Sequence, residues 1–540
     1  MTSVLYTISK YLIIVLFAYF VYASFGVVRD LPVEALKKKL NTQRVLMILI
    51  HFLAFLSIAV KIFQGKTEDA TLLSLFAFYL GQLLYIVLAV CVLPKVIPLS
   101  RGMNNCMLMF ICIGLIMQTR LGFSSAVRQF FMIVGGTILY IAFSVIIKRV
   151  KFARDLKWVY CIAGVALLVL VLILSTASMG AKTYLDLGFI TFQPLEFVKI
   201  LFVLFVASFF YKDKSYKTVV ITAVFAAAHV LILVACNDLG GALILAVLYV
   251  IMVYVAKKDW KILAIGFLGF VFAALIAYKL FSHVQVRVEA WLDPFSDIAG
   301  NGYQIAQSLF AIGTGGWFGL GIYSGSPKSI PEVTNDMIFS AICEELGVFF
   351  GIMLILLWLC FILMIVRVSL RVSNIFYKLV CFGCAVAFGV QIFLNIGGAV
   401  KFIPLTGVNL PFISSGGSSM FASMIMIGMV QALYVISEID VELEKEAAMR
   451  AQAPSPARGR RGRKEQKVRQ VKETDEGGLY EETGQIYEDV DLKGYDDLAF
   501  EETDYEARIA DKVRKIESDD LSGRKTDRTE KVKRIDPEDL

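Results

Sequence analysis

The chain has 540 residues, is 58% hydrophobic, has a mean hydropathy of +0.70 and carries a net charge of +7. Soluble domains hold about 45–50% apolar residues, so this composition and its repeated apolar runs exclude a soluble globular protein and predict a polytopic helical membrane protein. A transmembrane β-barrel is also excluded, because its strands alternate over about 10 residues and these runs do not.

Thirteen apolar segments follow one another: 6–25, 46–64, 71–94, 104–118, 127–147, 157–176, 193–210, 218–236, 239–256, 262–281, 337–366, 376–396 and 418–437. Every odd-numbered segment up to the eleventh is followed by a basic loop, such as Lys37–Lys38–Lys39, Lys148–Arg149, Lys212–Lys214 and Lys257–Lys258. Excess Lys and Arg mark cytoplasmic loops. The N-terminus is therefore expected outside, the 291–336 stretch outside, and everything after 437 inside. A signal peptide over the first segment is weighed against this order. Its cleavage would leave Lys37–Lys39 on the outer side, against the charge rule.

Four polar stretches interrupt the apolar pattern. The first, Gly180 to Lys199, ends with Pro194 at a helix start and with Glu196 and Lys199 at i, i+3 on one helix face. Charges there should face the bundle interior, either as a structural pair or against substrate. The second, NDLGGA at 237–242, reads as a tight turn. The third runs from Trp291 to Glu345. Its glycines (GTGGWFGLG) are not followed by GK[ST], which argues against a P-loop. Within it, Asp336 stands where a long apolar segment begins. A carboxylate at an apolar rim has its charged form disfavoured and suits a general base. The same position also suits a helix cap or first-turn acid. Glu344 and Glu345 lie deeper and need partners. The fourth stretch, Asn395 to Ser419, is rich in Gly and Pro, carries Lys401, and lines a cavity or forms a structured loop.

The three histidines and nine cysteines form no His/Cys metal set, disulfide framework or Ser–His pair. The CxxC of Cys381 and Cys384 sits inside an apolar segment and reads as small packing residues. Residues 441–540 hold 21 Lys and Arg against 27 Asp and Glu, so the rest of the chain carries a net +13. This tail reads as disordered and cytoplasmic, with a basic cluster at Arg458–Lys464 that is either a solvated linker or an anionic-lipid contact.

Taken in order, GAKTYLDLGFITFQPLEFVK, NDLGGA, GNGYQIAQSLFAIGTGGWFGLG, PEVTNDMIFSAICEELG and NIGGAVKFIPLTGVNLPFISSGGSS resemble the SEDS family (shape, elongation, division, sporulation) of RodA, FtsW and SpoVE. The resemblance implies an all-α polytopic membrane protein. It has a ten-helix core at 104–438 with a large extracellular loop at 282–336. Three extra N-terminal helices lie within 1–103, and a tail covers 439–540. It implies a peptidoglycan glycosyltransferase that polymerises lipid II at the outer face of the cytoplasmic membrane, for cell division or elongation. Asp336 falls at the family's catalytic aspartate, and Glu196 and Lys199 at its Gln-Pro-x-Glu-x-x-Lys pair. The substrates would be lipid II and a glycan linked to undecaprenyl diphosphate. That diphosphate needs positive charge, for which Lys182, Arg287, Lys328, Lys401 or a divalent cation (Mg or Mn) are candidates. The resemblance also implies a class B penicillin-binding protein as partner and no nucleic acid. Three positions depart from the family pattern: Thr183–Tyr184 for Arg-Trp, Leu195 for Ser, and Thr334–Asn335 for His-Thr. Rival readings are a lipid II flippase and a scaffold for the penicillin-binding protein.

Overall fold

The computed structural model describes residues 2–29, 31–65, 71–147, 151–175, 183–186 and 191–452. Lys182 and most of the charged tail therefore lie outside the described residues. Residues 1–438 form one compact unit; of residues 439–540, the second, the described part is helical.

The elements are α1 (Thr2–Val28), α2 (Val33–Phe63), α3 (Leu72–Val87), α4 (Leu93–Val96), α5 (Arg101–Leu121), α6 (Phe123–Ile146), α7 (Lys157–Leu174), a two-residue antiparallel hairpin β1 (Leu185–Asp186) and β2 (Thr191–Phe192), α8 (Pro194–Lys212), α9 (Tyr216–Ala235), α10 (Leu239–Lys257), α11 (Trp260–Leu280), α12 (Ser282–Leu292), α13 (Tyr303–Gly315), α14 (Ile338–Leu346), α15 (Val348–Arg371), α16 (Ile375–Ala399) and α17 (Gly417–Gln452). Thirteen helical stretches are long and apolar enough to cross a membrane. A π-turn joins α3 to α4 immediately before Pro94, where the missing N–H breaks the α-helical ladder.

Burial sorts the helices by role. The hydropathy of α5 is the lowest of the spans, yet every residue of it after Arg101 is buried, while α11 contributes no buried residue. Helices in lipid gain little from hydrophobic transfer and associate through close packing and interhelical hydrogen bonds. Accordingly α5 carries Asn104, Asn105, Gln118 and Arg120 inside the bundle, and Gly114 lets it approach the chain at Phe412 and Ile413. A Cβ at Gly114 would stand 2.9 Å from their backbone atoms. Phe110 of α5 stacks on Trp358 of α15 at 3.7 Å, and Phe361, Phe388 and Phe412 complete an aromatic layer.

One expected segment is corrected. The stretch 337–366 is not a single helix. It breaks at Gly347, whose φ of +93° suits glycine, into the nine-residue α14 and the spanning α15. The short fourth segment, 104–118, extends to a 21-residue helix. The GTGGWFGLG stretch holds the end of α13 and then a loop that packs on α14.

Candidate functional site

The segment 332–336 is assembled from all sides. Gln118 Nε2 of α5 donates to Thr334 O at 3.1 Å, and Ser415 N donates to the same carbonyl at 2.7 Å. Ser414 Oγ donates to Asn335 O. Asn395 of α16 donates from Nδ2 to Asp336 O at 2.9 Å and to Val408 O at 2.6 Å. The Gly- and Pro-rich stretch between α16 and α17 thus serves as the wall of the 332–336 segment. Gly407, at φ +72°, lies where a Cβ would come to 3.9 Å from Asp336 Oδ2.

Asp336 is 7% exposed. The N-cap of α14 is Met337, and no side chain caps that helix, so the carboxylate is not spent on helix capping. Its side-chain partner is Gln304 Nε2 of α13, 3.5 Å from Oδ1 and at the limit of a hydrogen bond. Among the described residues no cation lies within ion-pair distance of it. Burial pushes its carboxyl up to about 7, and the Glu332 carboxylate adds to the rise, while Arg287 and Gln304 oppose it.

Around it stand further polar groups. Tyr184, next to the hairpin, is pushed up to about 12, by burial first and then by Glu196, Asp238, Glu332 and Asp336, which places all four acids within its electrostatic reach. Asp238 caps α10 through Gly241 N at 2.8 Å. Burial raises its carboxyl, which Gly241 N–H and Arg287 oppose. Asn237, at φ +59°, makes the turn expected there.

The charged candidates divide. Lys199 is fully buried, lies 2.7 Å from Glu196 Oε2, and donates to Gln391 Oε1 at 2.6 Å. Arg287 of α12 donates to Leu405 O at 3.3 Å and acts electrostatically on both Asp336 and Asp238. Lys401 is turned to the rim, where Nζ donates to Leu292 O at 3.2 Å and Trp291 Nε1 donates to its carbonyl. Lys328 is exposed, in the short turn Pro327–Ser329. Glu345 meets Arg120 Nε at 2.6 Å, and Glu344 accepts from Ser326 N at 2.8 Å, which supplies the deeper acids with partners. Among the described residues no three His, Cys, Asp or Glu side chains gather closely enough to hold a metal ion. The donor set does not form a ready cation cage, and no step below is routed through a metal.

The sequence does not single out Gln304, Asn395, Asp238 or Arg120 as site residues. The amides carry no titration signal, Asp238 reads as a turn, and Arg120 is one cation at the end of an apolar run.

Comparison with known proteins bears directly on this arrangement. Residues 100–438 match the family described as cell cycle protein, that of FtsW, RodA and SpoVE. The chain belongs to this family. Peptidoglycan glycosyltransferase RodA of Mycobacterium bovis is 33% identical over 311 residues, covering 54% of this chain and 66% of that protein. The chain thus matches just under two thirds of that mycobacterial relative's length. Stage V sporulation protein E of Bacillus subtilis is 30% identical over 275 residues, 49% of this chain and 75% of that protein. A solved structure described as showing structural coordination of polymerization and crosslinking by a peptidoglycan synthase complex aligns with a TM-score of 0.55 and 25% identity, covering 62% of this chain and 98% of that one. With thirteen candidate spans, this member of the family is a multi-pass membrane protein. Its first four helices precede the matched segment.

Proposed function

We propose that this chain is a peptidoglycan glycosyltransferase that polymerises lipid II. The observation that carries the reading is Asp336: a buried carboxylate with no ion-pair partner among the described residues, raised towards neutrality, in a matched family segment whose relatives are named for this activity. Asp336 takes the proton from the 4-hydroxyl of one lipid II sugar. That oxygen attacks the anomeric carbon of the lipid-linked strand, undecaprenyl diphosphate leaves, and an α-linked sugar becomes β-1,4 linked. A general base contributes about 10²–10⁴-fold. The diphosphate requires positive charge. Arg287 is assigned to it, because it acts electrostatically on both Asp336 and Asp238, whereas Lys199 is engaged with Glu196 and Gln391. Glu196 and Lys199 then act as a buried framework pair beside the site.

A flippase would need charged groups distributed along a path through the bilayer. Here Asp336, Glu332, Asp238, Glu196 and Tyr184 share one neighbourhood, which supports chemistry at one membrane face. The basic loops support an orientation with that face outside and the C-terminal end of α17 inside. An impermeant thiol reagent that labels an introduced cysteine at residue 475 in intact cells would reverse this orientation. The complex named for the structural neighbour supports a transpeptidase partner, for which we propose a class B penicillin-binding protein. The deciding experiment is incubation of the purified chain with lipid II and separation of the glycan products. Polymer confirms the activity, and its absence with active partner present refutes it.

A further inference from the structure

Two helices that precede the matched family segment reach across to its outer loop. Tyr6 Oη of α1 donates to Ile322 O at 2.5 Å and lies 3.0 Å from Ser324 Oγ. Lys10 Nζ donates to Gly319 O at 3.0 Å. Lys61, near the end of α2, donates to Ser324 Oγ at 3.2 Å and places its ammonium 4.1 Å from the Tyr6 ring. The fit is tight: a Cβ on Gly321 would come to 2.3 Å from Tyr6 Oη.

The loop held in this way, residues 316–326, holds the far end of α14. Leu320 N and Gly321 N donate to Glu344 O and Glu345 O at 2.9 and 2.8 Å. Tyr323 N and Ser326 N donate to the Glu345 and Glu344 carboxylates. Gly316 O accepts from Val348 N at 2.9 Å, so the loop bridges the break at Gly347. Arg120 ties the same loop down through Gly325 O at 3.0 Å. At the other end of this nine-residue helix stands Asp336. A short helix whose C-terminal carbonyls are satisfied by a separate loop has its position set by that loop. In lipid, such interhelical hydrogen bonds are a main source of specific association.

We infer that α1 and α2 are a built-in brace: Tyr6, Lys10 and Lys61 are positioning residues that press loop 316–326 onto α14 and so fix Asp336 for reaction. The kinetic part rests on the glycosyltransferase reading; the structural part does not. A misplacement of about 1 Å at a reacting group costs on the order of 100-fold in rate even when its cause is remote. Loosening the brace, rather than removing it, should cost on the order of 10-fold.

The test uses the full chain in detergent. Cys91, the exposed member of the nine cysteines, is replaced by serine, and Ile322→Cys, at a buried position of the loop, serves as a probe. Labelling by a polar maleimide is compared with and without Lys10→Met/Lys61→Met, and separately with Tyr6→Phe, which removes one hydroxyl. Lipid II polymerisation is measured in parallel without the probe. The expected result is labelling faster by about 10-fold, kcat lower by about 10-fold with KM within about twofold, and recovery of kcat in Lys10→Arg/Lys61→Arg. Unchanged labelling in both variants overturns the brace. Faster labelling with unchanged kcat overturns the positioning role. If the double variant does not fold, Tyr6→Phe decides both points alone. If the parent chain makes no polymer, the glycosyltransferase reading fails while the labelling result still decides the brace.

Discussion

Asp336 and Glu196 are buried to nearly the same degree, 7% and 4% exposed, in opposite electrostatic settings. Glu196 has Lys199 at 2.7 Å, just as Glu345 has Arg120 at 2.6 Å. Asp336 has a weakly placed amide at 3.5 Å, and among the described residues no cation at ion-pair distance. A buried carboxylate matched to a fixed cation holds helices in register, and its removal leaves an uncompensated charge. One that is buried without such a match gains and loses a proton near neutral pH, which is what general-base work requires. The contrast separates framework from chemistry within one end of a helix bundle.

The sharpest way to break that contrast is Asp336→Asn. It should leave folding and membrane insertion intact and lower polymerisation by about 10²–10⁴-fold, measured as glycan formed from lipid II. A well-folded variant with near-normal synthesis would remove Asp336 from the role of base.

The framework side predicts a different signature. Glu196→Gln or Lys199→Met alone should destabilise the protein by about 3–5 kcal/mol, since each strands a buried charge. The double variant should lose less than the sum of the two. Thermal unfolding in detergent across the four proteins measures the coupling. Mild, additive effects would show that the two do not act as a pair.

Protonation gives the third test. With its carboxyl raised from 3.8 to about 7, Asp336 is mostly protonated at pH 6, so polymerisation should climb as pH rises through about 7. Stability should run the other way. The folded state favours the protonated form, so this group's contribution is fully present below about pH 4 and is lost as pH rises through about 7. Asp336→Asn removes that dependence. Its advantage in unfolding midpoint over the parent should be absent at pH 4 and grow towards pH 8. A constant difference across that range would mean that burial does not raise this carboxyl.

These residues differ in how far the sequence betrays them. Hydropathy locates the spans because lipid demands about 20 apolar residues per crossing, and the Glu196/Lys199 spacing is visible because i, i+3 positions share a helix face. The break at Gly347 is hidden, since one glycine in an apolar run carries no mark of the positive φ it adopts where loop 316–326 packs across it. The centrality of α5 is hidden for the opposite reason. Its Asn104, Asn105, Gln118 and Arg120 lower its hydropathy because they serve the interior. Gln304 and Asn395 escape a search for ionisable groups, although Gln304 faces the carboxyl of Asp336 and Asn395 holds its backbone. Tertiary contacts decide these roles, and single-residue chemistry does not announce them.

The smallest expected effect divides the two causes that raise Asp336. Burial comes first and the charge of Glu332 second. Glu332 is exposed and accepts from Asn335 Nδ2 at 2.6 Å. Glutamine there keeps an acceptor for Asn335 while removing the charge. Glu332→Gln should therefore move the acidic limb of the rate profile to lower pH by a fraction of a unit and leave the maximum rate within about twofold. Because an exposed charge is screened within about 10 Å at 0.1 M salt and about 3 Å at 1 M, the shift should be largest in dilute buffer and shrink in concentrated salt. The remaining elevation, due to burial, should be insensitive to salt. A limb that moves upward, or a shift of equal size at both ionic strengths, would mean that Glu332 acts on Asp336 through structure rather than through its field.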